Sequence, residues 1–176
     1  MKRTSALLIA VTAMMIAVTA VFTLLVRIPI PATEGYFNFS DVAISFVGYA
    51  FGPTVGFIAG GVGTAIADLI SGYAQFSWLS FLAHGLEGLV IGILARRRAF
   101  LQLVLAWLAG SAVMIAIYLL GEGLVLTGWG PALLEVPTNA GQAAVGAAVG
   151  IPLYYAVTRA YPSIRQIAQK PDWREG

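Results

Sequence analysis

The helix count of this chain depends on residues 42–70, which read VAISFVGYAFGPTVGFIAGGVGTAIADLI. The segment is apolar throughout, and its one charged residue is Asp68 near the end. Gly52 followed by Pro53 interrupts it, because proline lacks the amide hydrogen that a helix interior needs and glycine tolerates unusual backbone angles. The segment is therefore predicted to form two helices, at residues 40–51 and 53–70.

The whole composition is that of an integral membrane protein. Hydrophobic residues make up 59% of the chain, charged residues only 10%, and the mean hydropathy is +0.86; a soluble domain has roughly 25% charged residues. Four more apolar windows of about 20 residues are long enough to cross a bilayer. They lie at residues 5–26, 76–95, 101–121 and 138–157. The prediction is a single all-α domain over 1–176, a compact bundle of six transmembrane helices, with a polar cytoplasmic tail at 158–176.

The basic residues predict the orientation of the bundle. With six crossings, nine of the ten lysines and arginines fall on one side and only Arg27 falls on the other. Basic residues favour the cytoplasmic side, so both termini are predicted to be cytoplasmic. Because these basic residues lie at segment ends and have no aromatic residues between them, they do not indicate nucleic-acid binding. The short helix at 40–51 covers only about 18 Å, so it should be extended by residues 37–39 or lie where the bilayer is thin.

Polar side chains concentrate in the predicted outer half of the membrane. Such groups are costly in a bilayer, so each indicates a function by default. His84 and Glu87 share one helix face, and Asn139 and Gln142 repeat the same spacing. With aromatic residues in the outer loops above them, these groups predict a pocket open to the outside. The predicted substrate-binding residues are Tyr36, Phe37, Asn38, Asp41, Asp68, Tyr73, Trp78, His84, Glu87, Trp129, Asn139 and Gln142.

Ordinary structural roles are open for several of these residues. Asp41 with Ser40 could cap a helix, and Trp78 and Trp129 could be interfacial belt anchors. His84 and Glu87 could satisfy each other within a helix interface. One imidazole among oxygen donors is a weak pattern for a metal, so neither a metal nor a cofactor is predicted.

Small residues predict close helix contacts. Glycines four apart, as at Gly56 and Gly60 or Gly88 and Gly92, let helices approach closely within the protein. The first helix instead carries a stripe of alanines suited to docking against another helix, internal or foreign. The stripe comprises Ala6, Ala10, Ala13, Ala17 and Ala20.

The motifs of common enzymes and ATPases are missing from the sequence. Neither Lys2 nor Lys170 follows a glycine, so the chain has no P-loop. There is no Gly-x-Ser-x-Gly, no His-Glu-x-x-His and no cysteine. The chain is therefore not predicted to be an enzyme.

The order of the motifs resembles that of one transporter family. The motifs are Gly35-Tyr36-Phe37-Asn38-Phe39-Ser40-Asp41, Phe51-Gly52-Pro53, Ala67-Asp68-Leu69 with Gly72-Tyr73, His84-Gly85-Leu86-Glu87-Gly88, and Pro137-Thr138-Asn139 before Gln142. Together with the alanine stripe, they resemble the substrate-binding S components of energy-coupling factor (ECF) vitamin transporters, in the hydroxymethylpyrimidine and riboflavin-type branch.

The resemblance implies a function and partners. Such a protein, in the plasma membrane of a prokaryote, captures a vitamin or precursor from outside, for example one like hydroxymethylpyrimidine, thiamine, pyridoxine or riboflavin. It delivers the ligand with a separate transmembrane coupling subunit and two cytoplasmic ATPases. By the same resemblance, Ala13 and Ala17 would contact the coupling subunit, with Ala6 and Ala10 beside them.

Two other classes of function remain open at this point. A stand-alone proton-coupled carrier could use His84 and Glu87 as a proton relay. A membrane scaffold could use the aromatic loops to contact other proteins.

Overall fold

A computed structural model describes residues 3–96 and 99–167 of the chain. Within these ranges the six helices are α1 (Arg3–Leu25), α2 (Ser40–Phe51), α3 (Pro53–Ser71), α4 (Ser77–Leu94), α5 (Phe100–Gly121) and α6 (Trp129–Ala160). A short α7 (Ile164–Ile167) follows them. The predicted all-α membrane fold is confirmed, and five of the helices are long and apolar enough to cross a membrane.

The break between α2 and α3 lies where the sequence predicted it. Gly52 has a φ of 82°, a backbone conformation that favours glycine, and its amide donates to the carbonyl of Gly48 at 3.1 Å to end α2. Pro53 then opens α3 in the first helical turn, where its missing amide hydrogen costs little.

Helix α2 is the centre of the bundle. All twelve of its residues are buried, and it packs against α1, α3, α4 and α6. We predicted that so short a helix would need an extension or a thinner bilayer. Because other helices enclose α2, it does not have to match the hydrocarbon thickness by itself.

Glycines bring the backbones of neighbouring helices into contact, as predicted. A Cβ atom added to Gly56 of α3 would lie 2.5 Å from the carbonyl oxygen of Gly88 on α4. One added to Gly146 of α6 would lie 2.5 Å from Cβ of Asp41 on α2. These contacts fix how α3 and α6 sit against the two helices that carry Asp41 and His84.

The segment before α6 corrects a prediction. Residues 122–137 were expected to be an outer loop, with the last helix at 138–157. Instead a π-helix, Glu122–Leu126, continues α5, and α6 begins at Trp129 after a turn at Gly128 with a φ of 83°. Pro137, the last residue before the predicted helix, lies inside α6; membrane helices tolerate internal prolines when neighbours satisfy the freed carbonyl.

The end of the chain also differs from the prediction. Residues 158–176 were expected to be a polar tail, but α6 continues to Ala160 and α7 follows it. Thr158 is buried within this part of α6. Residues 168–176 of the predicted tail lie outside the described part of the chain.

The connection between α1 and α2 is a β-hairpin rather than an irregular loop. Strand β1 (Ile28–Ile30) pairs antiparallel with β2 (Gly35–Phe37). Thr33, which is fully buried, accepts a hydrogen bond from the amide of Gly35 at 3.3 Å and so braces the turn. The hairpin places Tyr36 beside the end of α3 and next to Tyr73.

Candidate functional site

One end of the bundle, called here the cavity end, encloses a cavity. It holds about 430 Å³ of empty space, counting the part that opens to solvent. The C-terminal ends of α1, α3 and α5 meet the N-terminal ends of α4 and α6 there, and the hairpin lies beside them. The lining residues are Thr23, Gly35, Tyr36, Asn38, Thr64, Asp68, Tyr73, Phe76, Ser80, His84, Tyr118, Glu122, Glu135, Asn139 and Gln142.

Aromatic rings form part of the cavity wall. The rings of Tyr36 and Tyr73 have centroids 4.8 Å apart, and Phe76 continues the row at 6.4 Å from Tyr73. Tyr118 on α5 lies edge-on to His84 at 5.6 Å. Its hydroxyl is 2.7 Å from the hydroxyl of Ser80. Such a wall offers flat apolar surface with a few polar tips, which suits a planar ligand.

The hairpin is tied to α3 by one side-chain hydrogen bond. The hydroxyl of Tyr36 donates to Oδ1 of Asp68 at 2.5 Å. Burial, and then the neighbouring Asp68 carboxylate, raise the pKa of the Tyr36 phenol well above its usual range. The phenol therefore stays protonated as a donor at physiological pH.

A second polar link joins the hairpin to α6. Oε1 of Gln142 accepts a hydrogen bond from the backbone amide of Asn38 at 2.9 Å, and Nε2 of Gln142 donates to Oδ1 of Asp41 at 3.2 Å. The side chain of Asn38 accepts from the amide of Ser40 at 2.7 Å. Asn38 thus supplies the side-chain acceptor at the start of α2, a capping role that the sequence left open for Ser40 and Asp41. Neither Ser40 nor Asp41 caps α2 with its side chain.

His84 contacts two buried carboxyl groups behind the cavity. Its Nδ1 lies 2.9 Å from Oε2 of Glu87 and 3.5 Å from Oδ1 of Asp41. Nδ1 of His84 and Oε2 of Glu87 share one hydrogen bond, whose donor depends on the histidine tautomer. The two carboxyl groups therefore fix the orientation of the imidazole. One ligand atom from each of the three residues lies within 4.8 Å of the others, so the cluster could also hold a metal ion.

Two further carboxyl groups meet in the cavity wall. Glu122 of the π-helix and Glu135 of α6 are 1% and 5% exposed, and their side chains hydrogen-bond to each other. Glu135 also hydrogen-bonds to Thr33 and packs so closely on Gly35 that any added Cβ atom would collide with it. Gly35 therefore leaves the space that the Glu135 carboxyl group occupies.

The structure divides the predicted substrate-binding residues into three groups. Seven of them line the cavity: Tyr36, Asn38, Asp68, Tyr73, His84, Asn139 and Gln142. Asp41 and Glu87 do not line the cavity but contact residues that do: both lie against His84, and Asp41 also accepts a hydrogen bond from Gln142.

Three predicted aromatics lie away from the lining. Phe37 packs edge-on against Phe39 at 6.0 Å. Trp78 and Trp129 are 43% and 48% exposed. The exposure of the two tryptophans is what interfacial anchors require, because they sit on the outer surface of helices α4 and α6.

Sequence reasoning missed eight of the lining residues. They are Thr23, Gly35, Thr64, Phe76, Ser80, Tyr118, Glu122 and Glu135. Single hydroxyls in apolar helices carry no distinctive signal. Glu122 and Glu135 did carry one, as acidic residues beside long apolar runs, but the segment between them was interpreted as a loop.

The alanine stripe lies on the outside of the bundle except at its last member, Ala20. Ala6, Ala10, Ala13 and Ala17 are all exposed, whereas Ala20 in the next turn is buried. The four predicted partner-binding residues therefore do not serve packing within the described part of this chain.

Comparisons with known proteins agree on one family. A family model described as "ECF-type riboflavin transporter, S component" matches residues 3–159. The thiamine precursor transporter HmpT of Lactococcus lactis is 31% identical over 131 residues, which is 74% of this chain and 75% of that protein. An uncharacterized protein in a gap 3′ region of Pyrococcus woesei is 40% identical over 136 residues, covering 77% of this chain and 90% of that protein.

A solved structure shares the fold. The S component of a bacterial ECF transporter superimposes with a TM-score of 0.69 at 24% sequence identity. The match covers 87% of this chain and 96% of that one.

Proposed function

The chain belongs to the family of S components of ECF-type riboflavin transporters, and on that premise we propose that it binds a small heteroaromatic vitamin or precursor in the cavity and delivers it across the membrane. As an S component it is a multi-pass plasma-membrane protein and a transporter subunit rather than an enzyme. S components bind a vitamin and work with a coupling subunit and ATPases.

The proposal is carried by one observation, the convergence of flat rings and directed polar groups in one cavity. Tyr36, Tyr73 and Phe76 offer ring faces, while Asn139 and His84 reach the same space from two other helices. Pockets for small ligands combine apolar surface with a few placed polar groups in this way. A planar heterocycle would stack on the rings and hydrogen-bond at its edge.

The predicted orientation completes the proposal. If the termini are cytoplasmic, the cavity end faces outside and the hairpin lies over the entrance. Tyr36 and Asn38 would then close over a captured ligand through their links to Asp68 and Gln142. The exposed stripe on α1 would contact the coupling subunit through Ala13 and Ala17, with Ala6 and Ala10 at its edge.

Native mass spectrometry tests the binding function. The full chain, purified in mild detergent from cells grown in rich medium, should retain a ligand of a few hundred daltons that identifies itself by mass. Isothermal titration with that compound should then give a dissociation constant far below a micromolar. A chain that carries no such ligand and binds no vitamin in titration would contradict the proposal.

The buried cluster of Asp41, His84 and Glu87 also supports a second candidate. Two carboxylates on one imidazole could relay protons, as in a stand-alone proton-coupled carrier. Proteoliposomes containing this chain alone separate the two functions. Uptake driven by a proton gradient would favour the carrier, whereas binding without uptake until a coupling subunit, ATPases and ATP are added would favour the S component.

A further inference from the structure

We infer that the cavity takes its ligand as a cation, and that the Glu122–Glu135 carboxyl pair receives the positive charge in exchange for a shared proton. This inference rests on the proposed function, since it names the class of ligand that the cavity selects. Neither Glu122 nor Glu135 has a role in the proposed stacking and hydrogen bonding of the ligand.

The charges of the lining favour a cation. Three carboxyl groups line the cavity, from Asp68, Glu122 and Glu135, and among the residues that the structure describes no lysine or arginine does. His84 is a possible cation there, but its Nδ1 already faces Asp41 and Glu87. Buried carboxylates without a positive partner are costly, so a positively charged ligand would offset a cost that a neutral one leaves in place.

The rings of the lining favour a cation as well. Tyr36, Tyr73, Phe76 and Tyr118 all present rings to the same space. Aromatic faces attract cations placed within about 6 Å of the ring centroid. Rings and carboxylates together therefore suit a flat, positively charged heterocycle better than a neutral ring or an anion.

The contact between Glu122 and Glu135 explains how two buried carboxyl groups can lie side by side when no ligand is bound. Two ionised carboxylates cannot hydrogen-bond to each other, so the contact requires a proton on one of them. Oε2 of each residue has no hydrogen-bond partner, and both residues are at least nine-tenths buried. The pair thus has acceptor capacity that no group in the described part of the chain fills.

The proton of the Glu122–Glu135 pair is accounted for with either kind of ligand. When a permanent cation binds, both carboxyl groups become carboxylates and one proton leaves to bulk solvent. When a neutral base binds, the shared proton moves from the pair to a ring nitrogen of the ligand and none is released. Thr33 and Tyr118 interact with Glu135, while the other titratable groups Tyr36, Asp68, Tyr73 and His84 line the same cavity.

Titration calorimetry on the full chain tests this exchange. The probes are thiamine, a permanent cation; 4-amino-5-hydroxymethyl-2-methylpyrimidine, a weak base; and riboflavin, a neutral ring. We expect at least one of the first two to bind about 100-fold or more tightly than riboflavin. Binding enthalpies of the wild-type protein in phosphate and in Tris at the same pH should differ by the ionisation enthalpy of about one proton for thiamine and of none for the pyrimidine.

Conservative variants test the two residues. Glu122→Gln and Glu135→Gln keep the size of the side chain and a hydrogen bond between them, and each should weaken binding of the cationic or basic probe at least tenfold. Glu34→Gln, in the exposed hairpin turn, is the matched control and should bind as the wild type does.

The outcomes separate this inference from the proposed function. Preferential binding of riboflavin, or unchanged affinity in both Glu→Gln variants, overturns the inference while vitamin binding stands. If none of the three probes binds and no ligand co-purifies, the proposed function fails and the inference fails with it.

Discussion

The hydroxyl of Tyr36 donates a hydrogen bond to Asp68 at 2.5 Å, and this bond joins the hairpin to the end of α3 across 32 residues of sequence. The bond therefore holds the hairpin, which lies beside the cavity, against helix α3. Breaking it should loosen the hairpin without disturbing the core, because Tyr36 lies at the end of the bundle, away from the main hydrophobic core.

Tyr36→Phe should speed ligand release. Hydrogen bonds to charged groups contribute about 1.5–3 kcal/mol, so loss of the bond to Asp68 should raise the dissociation rate about tenfold or more. Stopped-flow dissociation of the co-purified ligand measures it. Tyr161→Phe, at an exposed tyrosine after α6, is the control, and equal rates in the two variants would contradict the role assigned to the hairpin.

Glu87→Ala should weaken binding although Glu87 does not line the cavity. The change removes the partner of the His84 Nδ1 at 2.9 Å and leaves only the longer 3.5 Å contact with Asp41 to orient the buried imidazole. We expect a loss of more than about 1.4 kcal/mol, a tenfold change in dissociation constant. Glu87→Gln, which keeps an acceptor oxygen, should lose less. Wild-type affinity of the alanine variant in isothermal titration would reject this positioning role.

Gly56→Ala should destabilise the bundle. The new Cβ atom would lie 2.5 Å from a backbone oxygen of Gly88, and overpacking of this kind costs about 1–3 kcal/mol. Thermal unfolding in detergent, followed by tryptophan fluorescence, should show a lower midpoint. Gly141→Ala is the control, because open space surrounds Gly141 in α6. The packing argument fails if both variants unfold at the same temperature.

Ala13→Trp and Ala17→Trp should prevent assembly with the coupling subunit. Both alanines are exposed on α1, and a large ring there would hold a partner helix away. Co-purification with the coupling subunit and ATPases should be lost while ligand affinity in isothermal titration is kept. Leu105→Trp, at an exposed position of α5, should leave assembly intact. Normal assembly of the Ala13 and Ala17 variants would show that the stripe is not the docking face.

Much of the fold was predictable because its causes are local. Gly52 and Pro53 break the helix through their own backbone chemistry, and the span lengths follow from the bilayer thickness. The start of α6 was predicted wrongly, and Pro137 inside that helix shows an equally physical reason. A proline ends a helix only when the freed carbonyl has no other partner, and that depends on neighbours which the sequence does not identify.

The candidate site was predictable in its chemistry but not in its geometry. Buried polar residues stand out in an apolar chain, so His84, Asp68 and Asn139 were identified. Which of them face the cavity was not, because helices that are apolar all round give no periodic signal of their orientation. Asp41 and Glu87 therefore looked equivalent to residues that line the cavity, although they support His84 from behind.

The sequence by itself determined the class of protein, the helix breaks and the set of polar groups that must serve a purpose, since hydropathy and backbone chemistry act within a few residues. Only the tertiary structure decided that Glu122 and Glu135 touch, that Tyr36 bonds to Asp68, and that the alanine stripe faces outward. Each of these depends on how helices rotate and approach one another, and close glycine contacts between distant segments set that arrangement.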